Sequence, residues 1–272
     1  MNASGSDTAF AGSIPEFYDR CLVPLIFEPY AADLARRVVT LGPTRVLEIA
    51  AGTGVVTRAL AKALPAHVDV VATDLNPSML DRAAAVGTQR PVRWQQADAM
   101  RLPFGDAEFD VVVCQFGAMF FPDKAQAFAQ ARRVLRRGGV LLFSVWDRIE
   151  ENEFADVATT TLAGLYPADP PRFMARTPHG YFDRDAITRD LANAGFDTAP
   201  RIETIAARSR AESARVAAVA YCQGTPLRNE IEAQDSAGLA TATSACADAI
   251  AARFGAGAVD GKIQAHVVTA EN

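Results

Sequence analysis

From Arg45 to Trp146 the chain alternates between short, mostly apolar runs and longer runs with helical spacing. The short runs are RVLEIA, VDVVATD, VRWQQAD, FDVVVCQF and VLLFSVW, and the helical runs include VTRALAKAL, PSMLDRAAAV and AQAFAQARRVL. Strands that are apolar on both faces are typical of a parallel sheet, because right-handed crossovers place helices on each side of it. The pattern therefore predicts an α/β fold with a doubly wound parallel sheet, whose core is formed by residues 45–146.

Capping residues predict where helices of this core begin and end. Asn76 precedes Pro77, so it is predicted to cap a helix that begins with the proline. Asp123 is predicted to cap a helix that ends in arginines, which suit the negative end of the helix dipole, before two glycines that allow a left-handed stop. These arginines are Arg132, Arg133, Arg136 and Arg137, and the glycines are Gly138 and Gly139.

Segments on both sides of the core are predicted to add covering helices, lid segments and further strands. No internal repeat or low-complexity linker separates them, so one domain over residues 1–272 is expected. In chain order they are a helical cap rich in aromatics (14–40), an irregular lid segment rich in proline and aromatics (147–181), a helix (183–194), a strand (201–207), a lid segment with alanine-rich helices (208–255) and a last strand (262–270).

Composition and charge exclude several classes of protein. Half of the 272 residues are hydrophobic, which excludes disorder for most of the chain. Lys and Arg number 27 against 32 Asp and Glu, so no basic field is available to attract nucleic acid. The densest apolar run, residues 140–146, is far shorter than the roughly 20 residues that cross a bilayer. We therefore expect neither a nucleic-acid nor a membrane partner.

The first residues and the cysteines indicate the cellular location of the protein. The first twelve residues, MNASGSDTAFAG, have neither a basic start nor an apolar stretch, so no secretory signal is expected. The four cysteines lie far apart without a CxxC pair or a histidine at metal-ligand spacing, which is typical of reduced thiols. We expect a cytoplasmic protein without a bound metal.

The stretch Val46–Leu60 predicts a ligand site. An apolar strand leads through a turn with Gly52 and Gly54 directly into a helix, and glycines allow a tight turn and a close approach of a ligand. A dinucleotide fold would bind a pyrophosphate at the helix start, but its third glycine is replaced here by Thr57. Glu48, expected to point into the same turn, would repel a diphosphate and suit a cationic or amino-bearing ligand.

Further polar residues follow the next strands. Asp74 lies twenty residues after Gly54 and closes the second strand, a spacing typical of a carboxylate that binds ribose hydroxyls. Asp98 closes the third strand, where it could accept a hydrogen bond from an adenine amino group, and Gln115 ends the fourth. Because the carboxyl ends of parallel strands meet at one edge of the sheet, these positions together predict a site for a nucleoside with an amino-acid tail.

These motifs resemble, in order, those of the class I S-adenosylmethionine-dependent methyltransferases of small molecules. The matching residues are E48-x-A-x-G-T-G54, the strand-end Asp74, A97-D98-A99 followed by L102-P103-F104, and F109-D110-V111-V112. The similarity is to the quinone-biosynthesis-like branch in particular, where an N-terminal Tyr-Asp helix closes over the cofactor. The resemblance implies a Rossmann-like seven-stranded sheet, mostly parallel with an antiparallel last strand and helical lid insertions.

The resemblance also implies roles for individual residues around S-adenosylmethionine and its product S-adenosylhomocysteine. The methionine part would lie on Glu48 and the turn that contains Ala50, Gly52, Thr53 and Gly54. The ribose and adenine would contact Asp74, Leu75, Met79, Asp98, Ala99 and Met100, and the region near the sulfonium would contact Gln115, Phe116 and Tyr18.

A structural role is the alternative for each of these residues. The glycines could form only a tight turn, Asp74 could only cap the helix after it, and Asp98 could be a surface carboxylate. Gln115, Phe116 and Tyr18 could belong to the core.

Methyl transfer requires alignment more than acid–base chemistry, so no catalytic triad is expected. His179, in a loop expected to cover the strand ends, is the candidate base if one is used, and a structural role is its alternative. A small apolar or aromatic acceptor is predicted, because Phe17, Tyr18, Phe27, Tyr30, Trp146, Tyr166, Phe173, Met174 and Tyr181 lie in the covering segments.

Two other functions stay open. One is a non-catalytic protein that binds S-adenosylmethionine, and the other is an NAD(P)-dependent oxidoreductase on the same kind of sheet. The alanine-rich helices could also pair with a second copy in a homodimer.

Overall fold

The computed structural model describes residue 12 and residues 14–272 of the chain. The opening segment, for which no secretory signal is expected, lies almost wholly outside the described residues. Within the described part no helix is both long and apolar enough to cross a membrane.

Seven strands in the described residues form one sheet, in the order β3-β2-β1-β4-β5-β7-β6. Strand β7 runs antiparallel to both of its neighbours, and the pairs among β1 to β5 are parallel. The mostly parallel sheet with an antiparallel last strand is thus confirmed. The strands are β1 (Arg45–Glu48), β2 (Asp69–Asp74), β3 (Arg93–Gln96), β4 (Phe109–Gln115), β5 (Leu135–Trp146), β6 (Arg201–Ala211) and β7 (Val259–Glu271).

Helices cover both faces of the sheet and its carboxyl edge. A π-helical segment, Tyr18–Phe27, follows the first short helix and contains Pro24, which cannot donate the backbone bond of a regular turn. The α-helices are α1 (Ile14–Phe17), α2 (Glu28–Leu41), α3 (Val55–Ala63), α4 (Pro77–Val86), α5 (Lys124–Val134), α6 (Glu153–Leu165), α7 (Phe173–Arg176), α8 (Arg184–Asn193), α9 (Ala214–Gln223), α10 (Leu227–Gln234) and α11 (Leu239–Phe254).

The apolar strands bury side chains on both faces. Val46 packs in a layer with Leu34 of α2 and Leu60 of α3, whereas its neighbour Leu47 packs in the opposite layer with residues such as Phe128 of α5. Each such fully buried side chain contributes roughly 1.5–3 kcal/mol to folding. This two-sided burial explains why the strands read as continuous apolar runs.

The predicted end of α5 is wrong. Asp123 caps this helix by accepting the Gln126 N–H, as expected, but the helix ends at Val134, and Arg136 and Arg137 belong to β5. The strand begins early because Leu135 pairs with Phe109 of β4. The two glycines then pair with the last residue of the chain instead of ending a helix.

Two further local expectations differ from the structure. The segment 147–181 is not irregular throughout, because α6 occupies 13 residues of it and buries Phe154 and Leu162. Asn76 stands at the cap position of α4 but makes no side-chain cap bond there. The carboxylate of Asp74 accepts the Asn76 N–H instead.

The alanine-rich helices α9 and α11 pack against each other and against α6, and they bury the alanines of α9 together with Ala242 and Ala247 of α11. Any pairing with a second copy would therefore use their outer faces.

Candidate functional site

A cavity of about 320 Å³ lies at the carboxyl edge of the sheet. It opens beside β1 and β4, where the strand order reverses, the position at which open α/β sheets bind their ligands. Its volume falls in the range of small-molecule sites. The lining residues are Tyr18, Ala50, Gly52, Asp74, Leu75, Asn76, Met79, Ala97, Asp98, Ala99, Met100, Phe116, Gly117, Phe120, Phe121 and Pro122.

The turn after β1 borders this cavity and depends on left-handed backbone conformations. Gly52 and Gly54 have φ angles of 57° and 83°, and Ala50 adopts 53° despite its side chain. A Cβ on Gly54 would lie 2.8 Å from the Trp94 ring. The turn after β4 approaches so closely that a Cβ on Gly117 would overlap the Cβ of Ala50. The two loops therefore form one tightly packed wall.

Asp74 holds the glycine turn in place. Its carboxylate accepts the N–H of Gly52 and the N–H of Asn76, each at 2.8 Å. Burial raises the pKa of Asp74, and these backbone donors act in the opposite direction. Since Gly54 donates its own N–H to Ala51, the turn's glycine N–H groups are already bonded within the chain. They are not available to hold a pyrophosphate.

Asp98 also lines the cavity. Its carboxylate accepts the Met100 N–H at 2.8 Å, which leaves an oxygen for a further donor. Among the described residues no Lys, Arg or His lines this cavity, so Asp74 and Asp98 give it a negative character. The site suits a ligand that carries hydroxyl and amino donors or a positive charge.

Four of the predicted cofactor residues lie outside the lining. They are Glu48, Thr53, Gly54 and Gln115. Glu48 is buried beneath the turn, where it accepts the Thr57 hydroxyl at 2.6 Å, and burial raises its pKa to about 8. The other ten predicted residues line the cavity, from Tyr18 to Phe116.

Gln115 faces the cap instead of the cavity. Its side-chain N–H donates to the carbonyl of Phe27 at 3.4 Å, while Oε1 is buried without a partner among the described residues. The residue therefore ties β4 to the π-helical segment.

An aromatic wall separates the cavity from a second one of about 50 Å³. Tyr18, Phe116 and Phe120 line both cavities. The second cavity is also lined by Leu22, Ile26, Phe27, Met119, Trp146, Phe173, Met174, Pro178 and Thr225. Of the residues expected on the acceptor side, five line this second cavity, namely Tyr18, Phe27, Trp146, Phe173 and Met174. The other four, Phe17, Tyr30, Tyr166 and Tyr181, lie outside this lining.

Phe116 is held in an unusual conformation within this wall. Its φ angle is 52°, a left-handed value that costs a bulky residue of order 1–3 kcal/mol. Its ring stacks on Trp146 with centroids 3.8 Å apart and planes 3° apart, and Tyr30 contacts both rings edge-on. Packing therefore fixes the ring between the two cavities.

His179 lines neither cavity. It is buried, its ring nitrogen Nδ1 donates to the carbonyl oxygen of Asp147 at 2.8 Å, and its ring lies 6.0 Å from that of Trp146. Burial lowers its pKa to about 4, so the ring is neutral at pH 7. This environment is that of a structural histidine.

Sequence reasoning missed six residues of the lining. They are Asn76, Ala97, Gly117, Phe120, Phe121 and Pro122. Asn76 and Ala97 adjoin residues that were identified. The others form the turn after β4, where Gly117 followed by an aromatic pair and a proline was an available signal for a loop at the strand ends.

The core matches a family of known proteins. Residues 47–143 match the family model described as a methyltransferase domain. A demethylmenaquinone methyltransferase of Deinococcus radiodurans is 39% identical over 129 residues, covering 40% of this chain and 53% of that protein. The ubiquinone/menaquinone biosynthesis C-methyltransferase UbiE of Ectopseudomonas mendocina is 34% identical over 166 residues, covering 56% of this chain and 65% of that protein.

Solved structures share the fold over most of the chain. A candidate methyltransferase from Bacillus halodurans is 22% identical with a TM-score of 0.56, and the match covers 88% of this chain and 97% of that one. The [4+2]-cyclase SpnF is 18% identical with a TM-score of 0.54, and the match covers 90% of this chain and 80% of that one. At these identities the likeness shows the fold alone.

The fold and the strand-edge cavity are those of a Rossmann-like α/β domain, and the methyltransferase description applies to its residues 47–143. Residues 47–143 match the methyltransferase-domain family, which supports the resemblance to the class I S-adenosylmethionine-dependent methyltransferases seen in the sequence and S-adenosylmethionine as the cofactor. The chain spans between about half and two thirds of the length of the curated relatives that it matches.

Proposed function

We propose that this protein transfers the methyl group of S-adenosylmethionine to a small, apolar or aromatic molecule by in-line displacement. The observation that carries the proposal is the pair of adjoining cavities. One has carboxylates at the strand ends, and the other is apolar and lies across the wall of Tyr18, Phe116 and Phe120.

The lining of the larger cavity fits the cofactor. Asp74 has the carboxylate for the ribose hydroxyls, and Asp98 with Ala99 would recognise the adenine. Ala50 and Gly52 would lie against the methionine part, with Tyr18 above it. When bound, S-adenosylmethionine supplies a methyl group on a sulfonium, whose departure leaves a neutral thioether. The negative lining favours this positive charge.

The smaller cavity favours a compact, uncharged acceptor. Its volume of about 50 Å³ accommodates only a few non-hydrogen atoms, so it would receive a small molecule or the reacting end of a larger one. Among its described lining residues none is Asp, Glu, His, Lys or Cys. The acceptor atom would therefore be nucleophilic without a base from the chain, and the aromatic wall would exclude water and align that atom with the methyl group.

The same features argue against the other functions. An NAD(P) pyrophosphate would find bonded glycine N–H groups and two carboxylates. A protein that only binds S-adenosylmethionine has no need of a second apolar cavity beside the first. The names of the curated relatives, which refer to demethylmenaquinone and to ubiquinone/menaquinone biosynthesis, also favour a small-molecule acceptor.

We further propose a cytoplasmic location, which the four free cysteines support. A homodimer and the lack of a nucleic-acid partner stay predictions from the sequence.

The acceptor assignment is tested by filling the smaller cavity. A panel of phenols, indoles, quinols and thiols is incubated with S-adenosylmethionine, and formation of S-adenosylhomocysteine is measured. With the best acceptor, Met174→Trp should lose at least tenfold in turnover while its affinity for S-adenosylhomocysteine is unchanged. Turnover equal to wild type would show that the acceptor binds elsewhere.

A further inference from the structure

Among the contacts that join the cap over the larger cavity to the core is a largely buried carboxylate. Asp19 follows Tyr18 in the π-helical segment, and only 10% of its side chain is exposed. One oxygen of Asp19 accepts a hydrogen bond from Nη2 of Arg58 at 3.3 Å. The other oxygen accepts two hydrogen bonds from Arg82, one from Nε at 3.1 Å and one from Nη2 at 2.8 Å. A single side chain thus holds two arginines.

The two arginines come from the helices that begin at the cofactor turns. Arg58 lies in α3, directly after the glycine turn, and its Nη1 also donates to the carbonyl of Thr53 within that turn at 2.6 Å. Arg82 lies in α4, which follows Asp74. Asp19 therefore links the cap to the two helices that follow the glycine turn and Asp74.

The neighbouring Tyr18 is the part of the cap that faces the ligand. It lines both cavities, stacks on Phe27 at 5.0 Å between ring centroids, and carries its hydroxyl 3.9 Å from the position that a Cβ on Gly52 would occupy. Displacement of the cap would uncover the larger cavity and disrupt the aromatic wall at once.

We propose that Asp19 is a positioning residue whose ion pairs with Arg58 and Arg82 hold Tyr18 over the bound cofactor and so set how fast the cofactor leaves. The inference rests on the proposed function. Charge-assisted hydrogen bonds between partly buried groups are stronger than neutral ones. Loss of the Asp19 carboxylate should therefore raise the dissociation rate of the cofactor more than it changes the association rate.

The experiment measures binding kinetics of S-adenosylhomocysteine by stopped-flow fluorescence, since Trp146 stacks on Phe116 of the aromatic wall. Asp19→Asn should raise the dissociation rate about tenfold or more, with an association rate within threefold of wild type. Arg82→Met should act in the same direction, and the double variant should add little to the single ones. The matched control is Glu16→Gln, because the pair of Glu16 with Arg20 is exposed and 3.9 Å long.

The outcomes separate this inference from the proposed function. If wild type does not bind S-adenosylhomocysteine, the proposed function fails. If wild type binds but Asp19→Asn and Arg82→Met, both with wild-type thermal melting, dissociate at the wild-type rate, the positioning role is wrong. Should Asp19→Asn not fold, Arg82→Met alone decides, because its side chain is partly exposed.

Discussion

Glu48 should make the stability of this protein depend on pH. Its carboxyl is buried, with the Thr57 hydroxyl as a donor, and burial raises its pKa from 4.5 to about 8. The folded state therefore keeps a proton that the unfolded chain releases above pH 4.5. The resulting stability is fully present below pH 4.5 and is lost as the pH rises to about 8, at about 1.4 kcal/mol for each pH unit.

The substitution Glu48→Gln should remove this contribution. The amide keeps an oxygen that accepts the Thr57 hydroxyl and carries no charge at any pH. Between pH 6.5 and 8.5 wild type should lose about 2 kcal/mol in free energy of unfolding that the variant keeps. Other titrating groups are the same in both proteins, so the difference isolates Glu48.

Urea unfolding at several pH values between 6 and 9 measures this difference. The control is Glu212→Gln, an exposed glutamate that should follow the wild-type curve. Parallel pH curves for wild type and Glu48→Gln would refute the reasoning, since they would mean that burial does not hold a proton on Glu48.

Two further predictions concern the loops around the cavities. Gly117→Ala should weaken binding of S-adenosylhomocysteine at least tenfold in calorimetry, because the added Cβ would overlap that of Ala50. The control Gly164→Ala should bind as wild type, since a Cβ added there has no atom within 4 Å. Equal affinities of the two variants would contradict the close packing of the two loops. His179→Gln should lower the free energy of unfolding by about 1–2 kcal/mol through its bond to Asp147 yet keep turnover within threefold. A loss of turnover above a hundredfold would restore His179 as a base.

The strand-edge part of the site could be predicted because it follows from strand period and sheet topology. Asp74 closes a strand, Phe116 directly follows one and Asp98 lies two residues after one, and parallel strands bring their carboxyl ends to one edge. The positions of these residues can be predicted without knowledge of distant contacts, and all three line the cavity.

Glu48 shows where this reasoning fails. The residue ends a strand like the others, but its side chain lies beneath the turn against Thr57 in the first turn of α3. In the sequence, Thr57 stands out only as the residue in place of a third glycine. Its hydroxyl, nine residues from a strand-end carboxylate, was the available signal that Glu48 has a partner inside the protein.

Other errors arise from contacts between distant segments. The early start of β5 depends on the pairing of Leu135 with Phe109, and Asn272 pairs with the next part of the strand; no local pattern in the arginine-rich segment reveals these contacts. The helix α6 is different, since Phe154, Ala158 and Leu162 recur at helical spacing. That helix could have been predicted from the sequence.

The central claim is that the strand-edge cavity binds S-adenosylmethionine, and calorimetric titration with S-adenosylhomocysteine tests it most directly. Wild type should bind S-adenosylhomocysteine and not NAD⁺. Asp74→Ala should weaken binding about 10- to 100-fold, since hydrogen bonds to a charged group contribute about 1.5–3 kcal/mol, while the exposed Asp81→Ala should bind as wild type. Binding of NAD⁺ in place of S-adenosylhomocysteine, or equal affinity in wild type and Asp74→Ala, would contradict the account.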